Sequence, residues 1–286
     1  MNVQILSDSA SDLSPDMYDE YNIEVVPASV IIEGKEYLDG ITITPKEMYD
    51  AMRAGKKIST SQANPQAFKS AFLKSAETNQ PLIYFTLSAA LSGMYQSAKI
   101  MEQEVKDKYP QAPIYIIDTK CASLGYGLVI IRAAELAASG VSVKEIIDIA
   151  TYHAEHMEHV FTLDNLEYAY RSGRLSRTAS YLGTFLKIKP ILHIKRGELA
   201  YLGSKRGSKR VINRLIDIAE ERGVNLKKQV IGICHGDNLK EAKRIATLCK
   251  EKLGAKNTII KMIGSGIGSH AGPGVLGLFF LNKSYK

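Results

Sequence analysis

In the first half of the chain, short apolar runs end in small polar residues and lead directly into helix starts. Val3-Gln4-Ile5-Leu6 ends in Ser7-Asp8-Ser9, Leu82-Ile83-Tyr84-Phe85-Thr86 leads into residues 88–93, and Ile114-Tyr115-Ile116-Ile117 ends at Asp118-Thr119. Runs of this kind read as buried strands. The helix starts carry capping chemistry: Ser14-Pro15-Asp16, Thr44-Pro45-Lys46-Glu47, Asn64-Pro65 and Ser142-Val143-Lys144-Glu145, with Gly55 and Gly140 as stops. Residues 23–32 read as one extended stretch turning at Gly34, and apolar residues over 128–138 as a long helix. Strands alternating with helices predict an α/β domain with an open, mostly parallel sheet and flanking helices. Its ligand crevice lies beyond the strand C-termini, so Asp8, Thr86, Ser88, Ser92 and Asp118 are expected on one edge.

After about residue 155 the texture changes. Ile191-Leu192-His193-Ile194 turns at Arg196-Gly197 into Leu199-Ala200-Tyr201-Leu202, a hairpin pattern. Helices over 211–221 and Leu239–Leu253 alternate with strands at Val230-Ile231-Gly232-Ile233 and Thr258-Ile259-Ile260-Lys261. A second, α+β domain is expected, dividing the chain into residues 1–155 and 156–286, with the ligand site between them.

At 286 residues, 45% hydrophobic and 23% charged, the chain has the composition of a globular protein rather than a disordered one. The longest late apolar run, Val275-Leu276-Gly277-Leu278-Phe279-Phe280-Leu281, is strand-sized and too short for a membrane span. Met1-Asn2-Val3-Gln4-Ile5 lacks the basic and apolar regions of a signal peptide; the cytoplasm is the expected location. Cys121, Cys234 and Cys249 form no CxxC pair, and they read as fillers of small apolar gaps. The formal net charge is +7, with basic residues gathered in 187–195, 205–214 and 240–252. These runs lack the interleaved aromatics of a nucleic-acid face. An acidic partner, or transient contact with an anionic membrane surface, fits better.

Three polar islands are candidates for chemistry. Gly264-Ser265-Gly266-Ile267-Gly268-Ser269-His270-Ala271-Gly272-Pro273-Gly274 reads as a flexible loop around one histidine, while Thr60-Ser61-Gln62 and Leu91-Ser92-Gly93 supply hydroxyls. If they meet, they suit an anionic head group. Gly266 to Ala271 formally matches G-x-G-x-x-A, but that fingerprint needs a helix opening on a pyrophosphate. Gly272-Pro273-Gly274 and a strand follow instead, so dinucleotide binding is set aside. Ser92 and His270 with Asp8 or Asp118 make an alternative, a serine hydrolase of acyl esters, although Leu91-Ser92-Gly93 is not a G-x-S-x-G elbow. His153, His156 and His159 recur at a spacing of three, which places them along one helix face. A metal site is conceivable there, but Glu155 and Glu158 fall on other faces, and an exposed helical surface is the expectation. His193 reads as structural, and His235 is open. Residues 168–177, with Arg171, Arg174 and Arg177, fit either a solvated helix C-terminus or anion recognition by arginine forks.

Taken together, these segments resemble the DegV family, bacterial fatty-acid-binding proteins that serve as subunits of fatty acid kinase. The resemblance rests on Ser7-Asp8-Ser9-Ala10-Ser11-Asp12-Leu13, Thr60-Ser61-Gln62, Leu91-Ser92-Gly93-Met94-Tyr95-Gln96-Ser97-Ala98, Asp118-Thr119, Arg171-Ser172-Gly173-Arg174-Leu175-Ser176, Lys189-Pro190-Ile191-Leu192 and His270-Ala271-Gly272-Pro273-Gly274. It implies two α/β-type domains with a long-chain fatty acid in a tunnel between them, and no other cofactor or metal. Thr60, Ser92 and His270 would hold the carboxylate, with Ser61, Gly93 and Ala271 alongside and Arg171 close by. Arg174 would look outward, toward the kinase catalytic subunit. That partner would phosphorylate the acid to an acyl phosphate for phospholipid synthesis, leaving this chain without catalytic residues of its own. Met94 stands where the family often has threonine, and Ser172 where it often has glycine. Val26, Ile31, Leu128, Phe161, Phe185, Leu186, Phe279 and Phe280 are candidates for the apolar lining.

Overall fold

A computed structural model describes residues 3–175 and 188–285 of the chain. β1 (Gln4–Asp8) is buried from Ile5 onward and ends in a 3-10 turn, Ser9–Ser11, where the Asp8 carboxylate accepts from Ala10 N. α1 (Pro15–Glu20) begins with proline. The extended stretch that follows is two strands, β2 (Ile23–Val26) and β3 (Ser29–Ile32), with β4 (Lys35–Leu38) after the turn at Gly34. α2 (Pro45–Arg53) carries the expected capping box, Thr44 Oγ1 accepting from Glu47 N and Thr44 N donating to the Glu47 carboxylate. β5 (Ile58–Ser61), α3 (Pro65–Thr78), β6 (Leu82–Thr86), α4 (Met94–Lys108), β7 (Ile114–Asp118), α5 (Leu124–Ala138) and α6 (Val143–Glu155) complete this half. α5 begins one turn earlier than the apolar spacing suggests.

The second half consists of β8 (Met157–Thr162), α7 (Glu167–Arg171), β9 (Ile188–Lys195), β10 (Glu198–Arg206), α8 (Ser208–Arg222), β11 (Val230–His235), α9 (Leu239–Leu253), β12 (Asn257–Met262), α10 (Ser265–Ala271) and β13 (Leu276–Leu281). Two readings are corrected here. The stretch around His270 is a short helix, α10, and not a loop. His153, His156 and His159 do not share a helix face: α6 stops at Glu155, and His159 is buried in β8. No group of three His, Cys, Asp or Glu side chains placed to hold a metal occurs among the described residues.

Three sheets result. The order β2-β1-β6-β7 is parallel throughout, β4-β3-β5 is antiparallel, and β10-β9-β8-β13-β11-β12 is antiparallel except for the β11–β12 pair. Parallel register sets Thr86 opposite Asp118, so the polar strand ends share one edge, as their chemistry suggests. α5 joins the two larger sheets. It packs against β1 and also against β8, β11 and β13, and its Val129, Ile130 and Ala133 are fully buried. No described helix is long and apolar enough to cross a membrane.

Candidate functional site

Three segments distant in sequence meet around one cavity of about 720 Å³. Thr60 arrives on β5, whose pairing with β3 sets Thr60 opposite Val30 and Ser61 opposite Ser29. Ser92 and Gly93 lie in the turn before α4, where Ser88 O accepts from Leu91 N and Ser92 N. His270 and Ala271 close α10. All six of these residues border the cavity, and Thr60 Oγ1 stands 2.9 Å from His270 Nε2. Gln62 borders it too. Its side-chain amide lies over Gly93, where a Cβ would stand 1.9 Å from Gln62 Nε2.

α10 brings His270 to this point, although its sequence is a poor helix former. Tertiary contacts make up the difference. A Cβ on Gly268 would fall 2.6 Å from both Met48 Cε and Tyr49 Oη, so α2 closes directly onto the helix. At the other end, Gly264 N donates to Asp12 Oδ1 (2.8 Å), Ser265 N to Asp39 Oδ1 (2.8 Å) and Gly266 N to Asp39 Oδ2 (3.1 Å). A helix does open at the glycine fingerprint, then, but the protein's own carboxylate occupies the place a pyrophosphate would need. Burial raises the carboxyl of Asp39 above its ordinary range and that of Asp12 to about 8.

Electrostatically the polar end is neutral histidine beside one cation. Burial, and then the charge of Arg174, lower the His270 imidazole to about 4. Arg174 is exposed at the rim, its Nε donating to Leu91 O at 3.3 Å, yet it borders the cavity. Arg171 is elsewhere: its guanidinium pairs with Glu167, is 73% exposed and forms no part of the wall. Both arginines are exposed, and of the two it is Arg174 that borders the cavity. Ser176 and Arg177 of the same stretch lie outside the described residues.

A hydrolase triad is not assembled. The His270 ring bonds to Thr60, and Ser92 Oγ accepts from Met94 N at 3.3 Å. Asp8 is buried and receives the hydroxyls of Tyr84 and Tyr126, while Asp118 accepts from Ala89 N and Lys120 N. Both carboxylates are engaged away from His270.

The remaining wall is largely apolar and comes from both halves of the chain. Leu87 and Leu91 from the first half and Phe161, Ile194, Leu199 and Phe279 from the second all line it. Of the lining candidates, Phe161 and Phe279 are there. Val26 and Phe280 are instead buried in two other apolar clusters, Leu128 packs on the core, and Ile31 does not border the cavity. Phe185 and Leu186 lie outside the described residues. His159 is also in the wall. Its Nδ1–H donates to Met157 O (3.0 Å), its Nε2 accepts from Ala122 N (3.2 Å), and burial lowers it to about 4. Both ring nitrogens are satisfied, so this imidazole is an uncharged wall element. Cys121, Cys234 and Cys249 are all buried, and burial pushes their thiols up.

Hydroxyl and imidazole groups beside one arginine in a largely apolar cavity are chemically suited to an amphiphile with an anionic end. Comparison with known proteins agrees with that class. Residues 2–283 match the family model described as an uncharacterised protein of the DegV family, and the chain belongs to the DegV family. A DegV domain-containing protein of Clostridium perfringens is 38% identical over 283 residues, covering 98% of this chain and 97% of that protein. Among solved structures, a fatty-acid-binding DegV family protein of Thermus thermophilus superposes with a TM-score of 0.88 at 28% identity, over 98% of this chain and 99% of that one. A stearic-acid-binding protein of Eubacterium ventriosum gives a TM-score of 0.87 at 26% identity, over 97% of each chain.

Proposed function

We propose that this chain binds a long-chain fatty acid and presents it to a separate fatty acid kinase. The carboxylate lies among Thr60, Ser92 and His270, with Ser61, Gly93 and Ala271 around it, and the acyl tail fills the cavity. The observation that carries this reading is the Thr60–His270 pair in the wall of a largely apolar cavity. Burying a sixteen-carbon tail at about 0.8 kcal/mol per methylene offers roughly 12 kcal/mol before the costs of association. An unpaired carboxylate is expensive to desolvate, and hydroxyl and imidazole donors offset that cost through charge-assisted hydrogen bonds. The fatty acids bound by the Thermus and Eubacterium relatives support the same ligand class.

Arg174 borders the head-group site and is exposed, which makes it a cation of this site that a partner can touch. Phosphoryl transfer to the carboxylate then belongs to the partner, which supplies ATP. The same reading divides the chain at residues 155 and 156, between α6 and β8, and assigns it to the cytoplasm, where kinase and nucleotide are at hand. Mass spectrometry of lipid extracted from the purified protein tests the ligand: stoichiometric fatty acid is expected, and folded protein that never carries one overturns the reading. Acyl phosphate that forms only when kinase, ATP and this chain are combined tests the presentation step.

A further inference from the structure

We infer that Asp39, with Asp12 beside it, is a positioning residue of the head-group site, setting α10 so that His270 meets Thr60. The inference rests on the fatty-acid reading above, and on a set of contacts that converge on one carboxylate. On one side, Asp39 receives Ser265 N and Gly266 N, the first two amides of the helix that carries His270. On the other, it is tied to the start of β3, the strand that pairs with the Thr60 strand β5. Asp39 N donates to Ala28 O at 2.9 Å, and Ser9 Oγ donates to Asp39 Oδ2 while accepting from Ala28 N, each at 3.0 Å. Ala28 leads directly into β3, whose Ser29 and Val30 pair with Ser61 and Thr60. One residue thus links the start of the helix that ends in His270 to the strand beside Thr60.

Asp12 adds a second hold from another segment. Its Oδ1 takes Gly264 N, and its Oδ2 takes the hydroxyl of Ser123, a cavity residue. Ser123 sits at φ 55°, ψ −150°, backbone space that residues other than glycine rarely enter. No ion pair joins Asp12 or Asp39 to a cation among the described residues. Their hydrogen-bonding capacity is directed at backbone and serine donors around the site. A Cβ on Gly266 would stand 3.1 Å from Asp39 Oδ2, so the fit is close as well as polar.

The test must separate positioning from simple support of the fold. Asp39→Asn removes one of the acceptors in the full-length chain. Ser265→Pro removes the donor instead, at a first helical position where proline is tolerated, after a Gly264 whose φ −62° and ψ 168° suit a residue before proline. Binding of radiolabelled palmitate and of radiolabelled hexadecanol is measured on delipidated protein, with thermal melts as the fold control and ring-nitrogen NMR shifts of His270 recorded without lipid. Loss of the aligned imidazole is expected to weaken palmitate roughly tenfold in either variant while hexadecanol changes by less than about twofold. The His270 Nε2 shift should move away from its hydrogen-bonded value. Equal weakening of both ligands, unchanged palmitate affinity with a wild-type His270 signature, or failure of both variants to fold overturns the proposal. Wild-type protein that binds no palmitate refutes the fatty-acid reading instead, and the ring shifts then decide the positioning role alone.

Discussion

Thr60 and His270 stand 210 positions apart in the chain and 2.9 Å apart in the fold, a hydroxyl on an edge strand against an imidazole at the end of a short helix. Thr60→Val keeps the shape and removes the hydrogen bond. A polar contact of this kind is worth about 1 kcal/mol, more when the partner is charged, so fatty-acid affinity is expected to fall roughly five- to thirtyfold with the melting temperature nearly unchanged. Isothermal titration with delipidated protein, alongside a thermal melt, checks both halves of that statement.

Ser92 separates holding an acid from cleaving an ester. With its hydroxyl unconnected to His270, it lacks the activating base that a nucleophilic serine requires. A fluorophosphonate probe is expected to leave the protein unlabelled, and Ser92→Ala to weaken fatty-acid binding. Stoichiometric labelling that disappears in Ser92→Ala would establish the hydrolase instead.

The two arginines make opposite expectations testable. Arg174 borders the cavity and lowers the His270 imidazole, whereas Arg171 is paired with Glu167 in solvent. Arg174→Gln should raise the His270 titration midpoint, seen by NMR, and reduce kinase-dependent acyl phosphate formation. Arg171→Gln should leave both the midpoint and fatty-acid affinity within about twofold of wild type, since an exposed pair contributes little.

Local chemistry made much of this fold legible. The capping boxes at Thr44 and Ser142, the proline-led starts of α1 and α3, and the apolar β6 are each specified by neighbours within a few residues. α10 was not legible as a helix, because its glycines have weak propensity and its stability comes from Asp12, Asp39, Met48 and Tyr49, all more than two hundred residues upstream. β5 was hidden by the polarity of Ser59, Thr60 and Ser61, which an edge strand tolerates. The histidine spacing misled because β8 begins directly after α6 and takes His159 into the interior. Asp39 had no local signal at all: a lone aspartate before a glycine reads as a turn.

His159 gives the protein an acid limb. Its folded value is about 4 against an ordinary 6.5, so above 6.5 both folded and unfolded chains are neutral there and its contribution is constant. As pH falls from 6.5 toward 4, the unfolded chain takes up a proton that the folded chain refuses. Stability therefore declines in that window, by at most about 1.4 kcal/mol per pH unit for this group. Urea unfolding across the window should show a shallower decline in His159→Gln than in wild type. Asp12, raised to about 8, acts in the opposite direction, which is why the difference between the two slopes carries the result.

Gly125 is held to hydrogen by that same histidine. A Cβ there would stand 2.1 Å from His159 Nε2, inside a buried stretch of α5. Gly125→Ala is expected to destabilise the protein by about 1–3 kcal/mol through overpacking, despite alanine's better helix propensity. Denaturant midpoints measure it, and a stabilised variant would show that His159 swings aside freely.

The cavity is lined from both halves of the chain, by Leu87 and Leu91 from the first and by Phe161 and Phe279 from the second. Whatever fills that gap becomes a fastener across the seam, replacing water-exposed hydrocarbon with contacts to each half at once.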